Sequence, residues 1–204
     1  EIYQITSLIV SGIFNSDDLS FINWLLLISK GGKGKIIALD LSNTVIDKSY
    51  GTDEDIDESM FGSTLIKNII LPKNTRSIGT AAFRNCIQLE AIQIPSKVSY
   101  IGASAFSYCI SLKAITFGGN SLTHIDNWAF SDCPIKSIYI PASVTQIDWG
   151  ALDCPQLQEV HMLSTTPPTA VDPFYHSPVV NNGTLYVPKG WATKYWAAPI
   201  WGDF

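Results

Sequence analysis

Charge is what this 204-residue chain has least of. Asp, Glu, Lys and Arg together make up 15% of it, which is low for a soluble surface, so Asn, Ser, Thr and Gln must carry much of the solvation. The charge present leans acidic, 18 carboxylates against 13 Lys and Arg for a net −5. Without a clustered basic face to neutralise phosphates, a nucleic-acid partner is not expected. Long apolar runs are also missing. The longest candidate, 21–28, is broken by Asn23 and falls far short of the roughly 20 residues that span a bilayer, so no membrane insertion of this chain is predicted. No leader precedes the fold, but the chain starts at Glu1 rather than Met. That reads as a trimmed form, so the missing targeting segment excludes nothing. Histidines number three and are scattered, with no nucleophile elbow, phosphate loop or metalloprotease helix. No Cys-x-x-Cys or Cys/His cluster suggests a metal. Neither an enzyme nor a cofactor is expected.

What is present is a repeat. The phrase Ile-(Gly/Asp)-x-x-Ala-Phe-x-x-Cys occurs at Ile78-Gly79…Ala82-Phe83…Cys86, at Ile101-Gly102…Ala105-Phe106…Cys109 and at Ile125-Asp126…Ala129-Phe130…Cys133. A further copy, Ile147-Asp148…Ala151-Leu152…Cys154, is one residue short, and a fainter one, Ile56-Asp57…Met60-Phe61…Thr64, comes first. The leading isoleucines step by 22, 23, 24 and 22 residues. Such a period marks a stacked solenoid, in which no repeat buries its apolar face alone. Like residues should therefore form columns: Phe61, Phe83, Phe106 and Phe130 in one, the four cysteines in another. Cysteines so placed read as buried thiols acting as small hydrophobes, not as disulfides. Leu152, where the phrase also loses a residue, should mark distorted packing or a change of curvature.

Between the phrases a second element recurs. It includes Leu65 to Pro72, Leu89 to Pro95, Leu112 to Phe117, Ile135 to Pro141 and Leu157 to Met162. Its apolar-x-apolar ending predicts a short strand with one buried face, stopped by proline, which offers no ladder N–H. A second extended stretch follows, as in Val98 to Gly102, and the Ala-Phe-x-x-Cys piece reads as a single helical turn. Strand patterns also occur at Ile5 to Val10 and Ile36 to Leu41. Between them a helix is predicted over about 16–29, with Ser16 as N-cap and a stop at Gly31-Gly32. Its apolar residues Leu19, Phe21, Ile22, Trp24, Leu25, Leu26 and Ile28 would close one end of the core. Ser164–Gly183 reads as turn-rich. The strand Thr184 to Pro188 and an aromatic segment with Trp191, Tyr195, Trp196 and Trp201 would close the other end.

These residues resemble the BspA-type leucine-rich repeat found in many Bacteroides cell-surface proteins, strongly over residues 56–163. The resemblance implies a right-handed, β-rich α/β leucine-rich-repeat solenoid with short strands, single helical turns, an N-terminal helical cap and a C-terminal aromatic cap. The whole of 1–204 would form one such domain: cap 1–46, repeats 47–163, final strand and cap 164–204. It further implies an exported protein at the cell surface, in the periplasm or outside the cell, anchored, if at all, through a segment outside this chain. Adhesion and protein binding are associated with the family, and no chemistry is implied.

If the flanking apolar residues point inward, Asp40, Ile70, Gln93, Thr116, Tyr139, His161 and Tyr186 point outward from successive strands, with Ile9 beginning the row. Strands about 4.8 Å apart make this a continuous ribbon. Such faces are the usual binding surface of solenoids, and aromatics bury large area at low entropic cost. Asp40, Gln93, Thr116, Tyr139, His161 and Tyr186 are the candidate ligand-binding residues, against the plainer reading of a solvated sheet face. The expected role is a monomeric, non-enzymatic module engaging a host or bacterial surface protein or glycan. A structural spacer is the alternative, and a hydrolytic enzyme using His161 with Glu159 a remote third. Trp128 and Trp149 are weak contact candidates near an edge. The acidic stretch Asp47, Asp53, Glu54, Asp55, Asp57 and Glu58 lacks the glycine and distal Glu of a calcium loop and reads as a solvated loop.

Overall fold

The structure is a computed structural model and describes residues 6–14, 36–46, 56 and 58–204, with Asp18, Phe21, Ile22, Trp24 and Leu26 between the first two segments. The period-two segments form short parallel strands, stacked one per coil. They are β1 (Ser7–Phe14), β2 (Ala38–Ile46), β3 (Asn68–Ile70), β5 (Ala91–Ile94), β7 (Ala114–Phe117), β9 (Ser137–Ile140), β11 (Glu159–Met162) and β13 (Thr184–Tyr186). Pairing groups them as β1-β2-β3, β5-β7 and β9-β11-β13. Proline ends several of these strands by starting the same turn: Thr75, Val98 and Val144 donate their N–H to the carbonyls of Pro72, Pro95 and Pro141 at 3.1–3.2 Å.

The second extended stretch forms a second parallel ladder. It consists of β4 (Ser77–Ile78), β6 (Tyr100–Ile101), β8 (His124–Ile125), β10 (Gln146–Ile147) and β12 (Thr169–Ala170), hydrogen-bonded in chain order. Ile56 adds a bridge to Ile78 at its start. The phrase isoleucines line its inner side and are all buried.

The third side of each coil departs from the single helical turn expected there. Within one coil Ala82, Arg84 and Cys86 donate to the carbonyl three residues back, while Ala81, Phe83 and Asn85 donate to the next coil, to Ala103, Ala105 and Ser107. An α-helix would spend its N–H groups inside the coil. Here left-handed residues break the helical path, Ala81 at φ +55° and Asn85 at +60°, repeated at Ser104 and Tyr108 and again at Trp128 and Asp132. Each costs a non-glycine residue about 1–2 kcal/mol, and each turns alternate N–H groups toward the neighbouring coil. The result is a third ladder made of turns.

Inside, the phenylalanines stack as the repeat predicts. Ring centroids are 5.1 Å apart for Phe61–Phe83 and Phe83–Phe106 and 5.3 Å for Phe106–Phe130, and all four rings are fully buried. The cysteines are free and buried. Their thiols tie each coil to the one before it. Cys86, Cys109, Cys133 and Cys154 donate to the Phe61, Phe83, Phe106 and Phe130 carbonyls of the preceding coil at 3.0–3.2 Å. Thr64, which replaces cysteine in the first copy, donates to Phe61 O of its own coil at 2.8 Å. The thiols are held well above their ordinary pKa. At Cys86 and Cys109 the main cause is hydrogen bonding to the next cysteine in the column, and at Cys133 and Cys154 it is burial. The shortened phrase is absorbed by a tighter turn, Cys154 N donating to Leu152 O at 2.7 Å, and Leu152 stays fully buried.

The stretch expected to be turn-rich holds a sixth coil. Leu152 N donates to Pro173 O at 2.8 Å, as Phe130 N does to Ala151 O. Phe174 is buried one coil beyond Leu152, and Ser177 Oγ donates to Cys154 O at 2.9 Å. This copy escapes a reading of the sequence because Ala170, Pro173 and Ser177 replace the Ile, Ala and Cys of the phrase. Beyond it lie α1 (Val179–Asn182), β13 and α2 (Ala192–Trp196). Only half of the C-terminal aromatics act as a lid. Tyr195 and Trp201 are buried, their polar atoms donating to Ser164 O and Pro168 O at 2.9 Å, whereas Trp191 and Trp196 are exposed. Burial pushes the Tyr195 phenol up to about 12.

At the other end, Asp18, Phe21, Ile22, Trp24 and Leu26 are helical. Ile22 and Leu26, one turn apart, are buried. Phe21 and Trp24, expected on the buried face, instead stack on each other in solvent at 5.7 Å. Helical periodicity accounts for this: at about 100° per residue Trp24 lies opposite the midpoint of Ile22 and Leu26, and Phe21, three residues before it, shares its side of the helix. Ser16, Leu19, Leu25, Ile28 and Gly31-Gly32 lie outside the described residues.

Candidate binding surface

The strand register aligns the predicted outward row. Ile9 pairs with Asp40 and Asp40 with Ile70, Gln93 pairs with Thr116, and Tyr139 pairs with His161 and His161 with Tyr186. Side chains alternate across a strand, so the buried residues on either side, Ile138 and Ile140 for Tyr139, force this row outward. The row is not uniform. At its N-terminal end it is aliphatic, with Ile9 71% exposed and Ile70 53%. Asp40 accepts the Ser42 N–H at 2.8 Å, which holds its carboxyl below the ordinary carboxylate value. A cleft of about 310 Å³ lies beside Ile70, Lys73 and Gln93. The middle of the row is polar, with Gln93 and Thr116.

The C-terminal end of the row is an aromatic stack. The Tyr139 and His161 rings lie 4.1 Å apart and within 8° of parallel; His161 and Tyr186 lie 4.2 Å apart and within 2°. Each imidazole face is thus covered by a phenol. Glu159, on the same strand face, places Oε2 3.2 Å from His161 Nε2. The ladder brings the three rings side by side, because in-register residues on adjacent parallel strands share a face, but it does not alone make them parallel: Tyr100 and His124, also in register, meet edge-on at 5.3 Å. Backbone pairing does not continue from β3 to β5 or from β7 to β9, so the aromatic stack belongs to a separate, continuous three-stranded segment.

Two further groupings emerge only from the fold. On the turn side, Trp128 packs edge-on against Trp149 at 4.6 Å and Tyr175 at 5.8 Å. Gly150 makes room for it: a Cβ there would sit 2.4 Å from the Trp128 ring, at a φ of +60°. On the second ladder His124, Asp126 and Asp148 converge, with His124 Nε2 2.6 Å from Asp148 Oδ2. Aligning the copies puts Asp126 and Asp148 in one column, in the place of Gly79 and Gly102, but does not show their convergence with His124. The acidic segment 53–58 falls outside the described residues except for Ile56 and Glu58.

A family model, the BspA type Leucine rich repeat region, matches residues 54–181 in six copies. The chain belongs to this family. Six copies over that range agree with the coil built on Phe174, and the β-rich architecture of short parallel strands with few helices is that of a leucine-rich-repeat solenoid. Among solved structures, the chain is similar to the pneumococcal vaccine antigen PcpA at 26% identity and a TM-score of 0.51, over 65% of this chain and 32% of that one. It therefore spans about a third of that structure's length. A leucine-rich repeat protein from Bacteroides ovatus matches at 16% identity and a TM-score of 0.30, covering 75% of this chain and 55% of that one. A leucine rich cell surface protein from Faecalibacterium prausnitzii matches at 16% identity and 0.27, covering 78% and 66%. No curated protein matches the chain. Among the described residues no helix is long and apolar enough to cross a membrane.

Proposed function

We propose that this BspA-type repeat chain is a non-enzymatic binding module of an exported, cell-surface protein, and that the Tyr139–His161–Tyr186 end of its strand face holds a partner protein. The observation that carries this reading is the parallel stack at 4.1 and 4.2 Å. Three rings fixed in register form a rigid surface with little rotamer entropy left to lose, which favours association. The same geometry favours a polypeptide over a sugar as the partner. A sugar would stack on an open ring face, and here four of the six ring faces are used within the stack, leaving the edges, the phenol hydroxyls and the outer faces of Tyr139 and Tyr186 for neighbours. Edges and hydroxyls suit a polypeptide surface, with its carbonyls, amides and apolar side chains. The similarity to a pneumococcal vaccine antigen supports surface exposure.

The test is a binding screen of the chain against immobilised extracellular-matrix and mucosal proteins, with a glycan array in parallel. Tyr139→Ala/Tyr186→Ala should abolish retention on protein at unchanged melting temperature. Retention equal to the parent's would remove the strand face as the site, and retention on the array alone would replace protein with glycan. A spacer with no dedicated ligand would show no ligand-dependent stabilisation in the same screen, because any ligand favouring the native state raises its stability.

A further inference from the structure

We propose that His124, Asp126 and Asp148 form a site for one first-row divalent cation, of the zinc or manganese type, on the second ladder. The repeat places the ligands. The position after the phrase isoleucine is glycine in two coils, Gly79 and Gly102, and aspartate in the next two. Because β8 and β10 pair in register at Ile125 and Ile147, the two carboxylates that follow are stacked on adjacent strands, where like charges repel. Both are partly buried, and among the described residues neither forms an ion pair with Lys or Arg. The partner within reach is the imidazole of His124, directed at Asp148 from the same ladder.

The donor atoms suit a metal better than they suit one another. One ligand atom from each of the three residues lies within 4.8 Å of the others, and no other such group of three occurs among the described residues. Donors about 2.0–2.2 Å from a tetrahedral ion stand roughly 3.3–3.6 Å apart. The site therefore forms by small side-chain rotations, Asp148 and His124 parting and Asp126 closing, while the ladder stays fixed. Outer partners already orient the ligands, as metal sites require. Tyr100 donates its hydroxyl to Asp126 Oδ2 at 2.6 Å, Asn127 donates its backbone N–H and side-chain amide to Asp126 Oδ1 at 2.6 and 2.8 Å, and Gln146 donates to Asp148 Oδ1 at 2.9 Å. One imidazole nitrogen with two carboxylate oxygens fits a first-row ion, whereas calcium takes oxygen ligands. Side-chain exposures of 28% for His124 and 17% for Asp148 leave a path for the ion and room for water to complete its shell. Such an ion would clamp neighbouring coils on a side of the solenoid distinct from the strand face.

The experiment is calorimetric titration of chelator-stripped protein with ZnCl2 and with MnCl2, alongside melting curves and the visible spectrum of the Co2+ form. The expected result is one ion per chain and a raised melting temperature. Affinity should fall at least tenfold in His124→Gln and in the near-isosteric Asp148→Asn, while His161→Ala leaves it unchanged. Metal-free melting curves establish that each variant is folded, and Asp126→Asn replaces any variant that is not. Absence of saturable binding, binding undiminished in the folded variants, or a thiolate charge-transfer band with Co2+ would each overturn the assignment, the last by placing the ion on the cysteines.

Discussion

Two aromatic ladders run along this solenoid, and the same repeat builds both. Phe61, Phe83, Phe106 and Phe130 stack at 5.1–5.3 Å with no exposure, while Tyr139, His161 and Tyr186 stack at 4.1–4.2 Å on the surface. The inner column is tied to the backbone on every side: each Phe N–H reaches the next coil, and each Phe carbonyl accepts the thiol of the cysteine in the next coil. The outer stack hangs from its strands and touches mainly itself. The difference separates the two meanings of a conspicuous aromatic repeat. Buried rings bear on whether the chain folds, and exposed rings are free to serve recognition because folding does not depend on them.

That contrast can be broken or sharpened by substitution. The largest effect should come from Phe106→Ala, at the centre of the inner column, with a loss of about 3–5 kcal/mol read by urea unfolding. A loss near 1 kcal/mol would mean that the coils collapse to fill the space and that the column is not the stability centre. Next comes the thiol column. A buried thiol whose pKa is raised stays protonated in the native state while the unfolded chain ionises above its ordinary value of about 8.5. The unfolded state then binds fewer protons, so stability is fully present below that value and falls as pH rises through it, by at most about 1.4 kcal/mol per pH unit per thiol. Cys109→Ala should therefore lose stability less steeply than the parent between neutral and alkaline pH; identical slopes would show that the thiol ionises in place.

Gly150→Ala tests the turn side. Its φ of +60° and the Trp128 ring 2.4 Å from the new Cβ predict destabilisation of about 1–2 kcal/mol, with a change in Trp fluorescence as the indole is displaced. The smallest stability effect belongs to the outer stack. Tyr139→Ala/Tyr186→Ala should cost no more than about 1 kcal/mol, the scale of cross-strand pairs. A much larger loss would make the outer stack a structural element like the inner one, and would erase the comparison.

Legibility in the sequence followed the same division. The columns were readable because a solenoid coil repeats one pattern of inward residues, so Phe83 and Phe106 announce each other across 23 positions. The outward row was readable too, since strand alternation assigns Tyr139, His161 and Tyr186 once the buried residues are known. What failed did so for local physical reasons. The Ala-Phe-x-x-Cys segment looks helical by spacing, yet left-handed Ala81, Ser104 and Tyr108 are not residue types that advertise a positive φ. The coil at Phe174 was hidden because three of its signature residues are substituted, although the backbone ladder accepts them. Phe21 and Trp24 were placed inward on hydrophobicity alone, a property that cannot say which side of a helix meets the core.

Period, core columns and the identity of the outward row are thus properties of the chain as written, because each depends only on spacing along one dimension. The tertiary structure alone decided that the surface rings lie parallel at 4.1 and 4.2 Å, that Trp128 folds over Gly150, and that His124, Asp126 and Asp148 bring their donors together. Those features depend on the distance and rotation between neighbouring coils, which every hydrogen bond of the three ladders sets jointly and no single segment encodes.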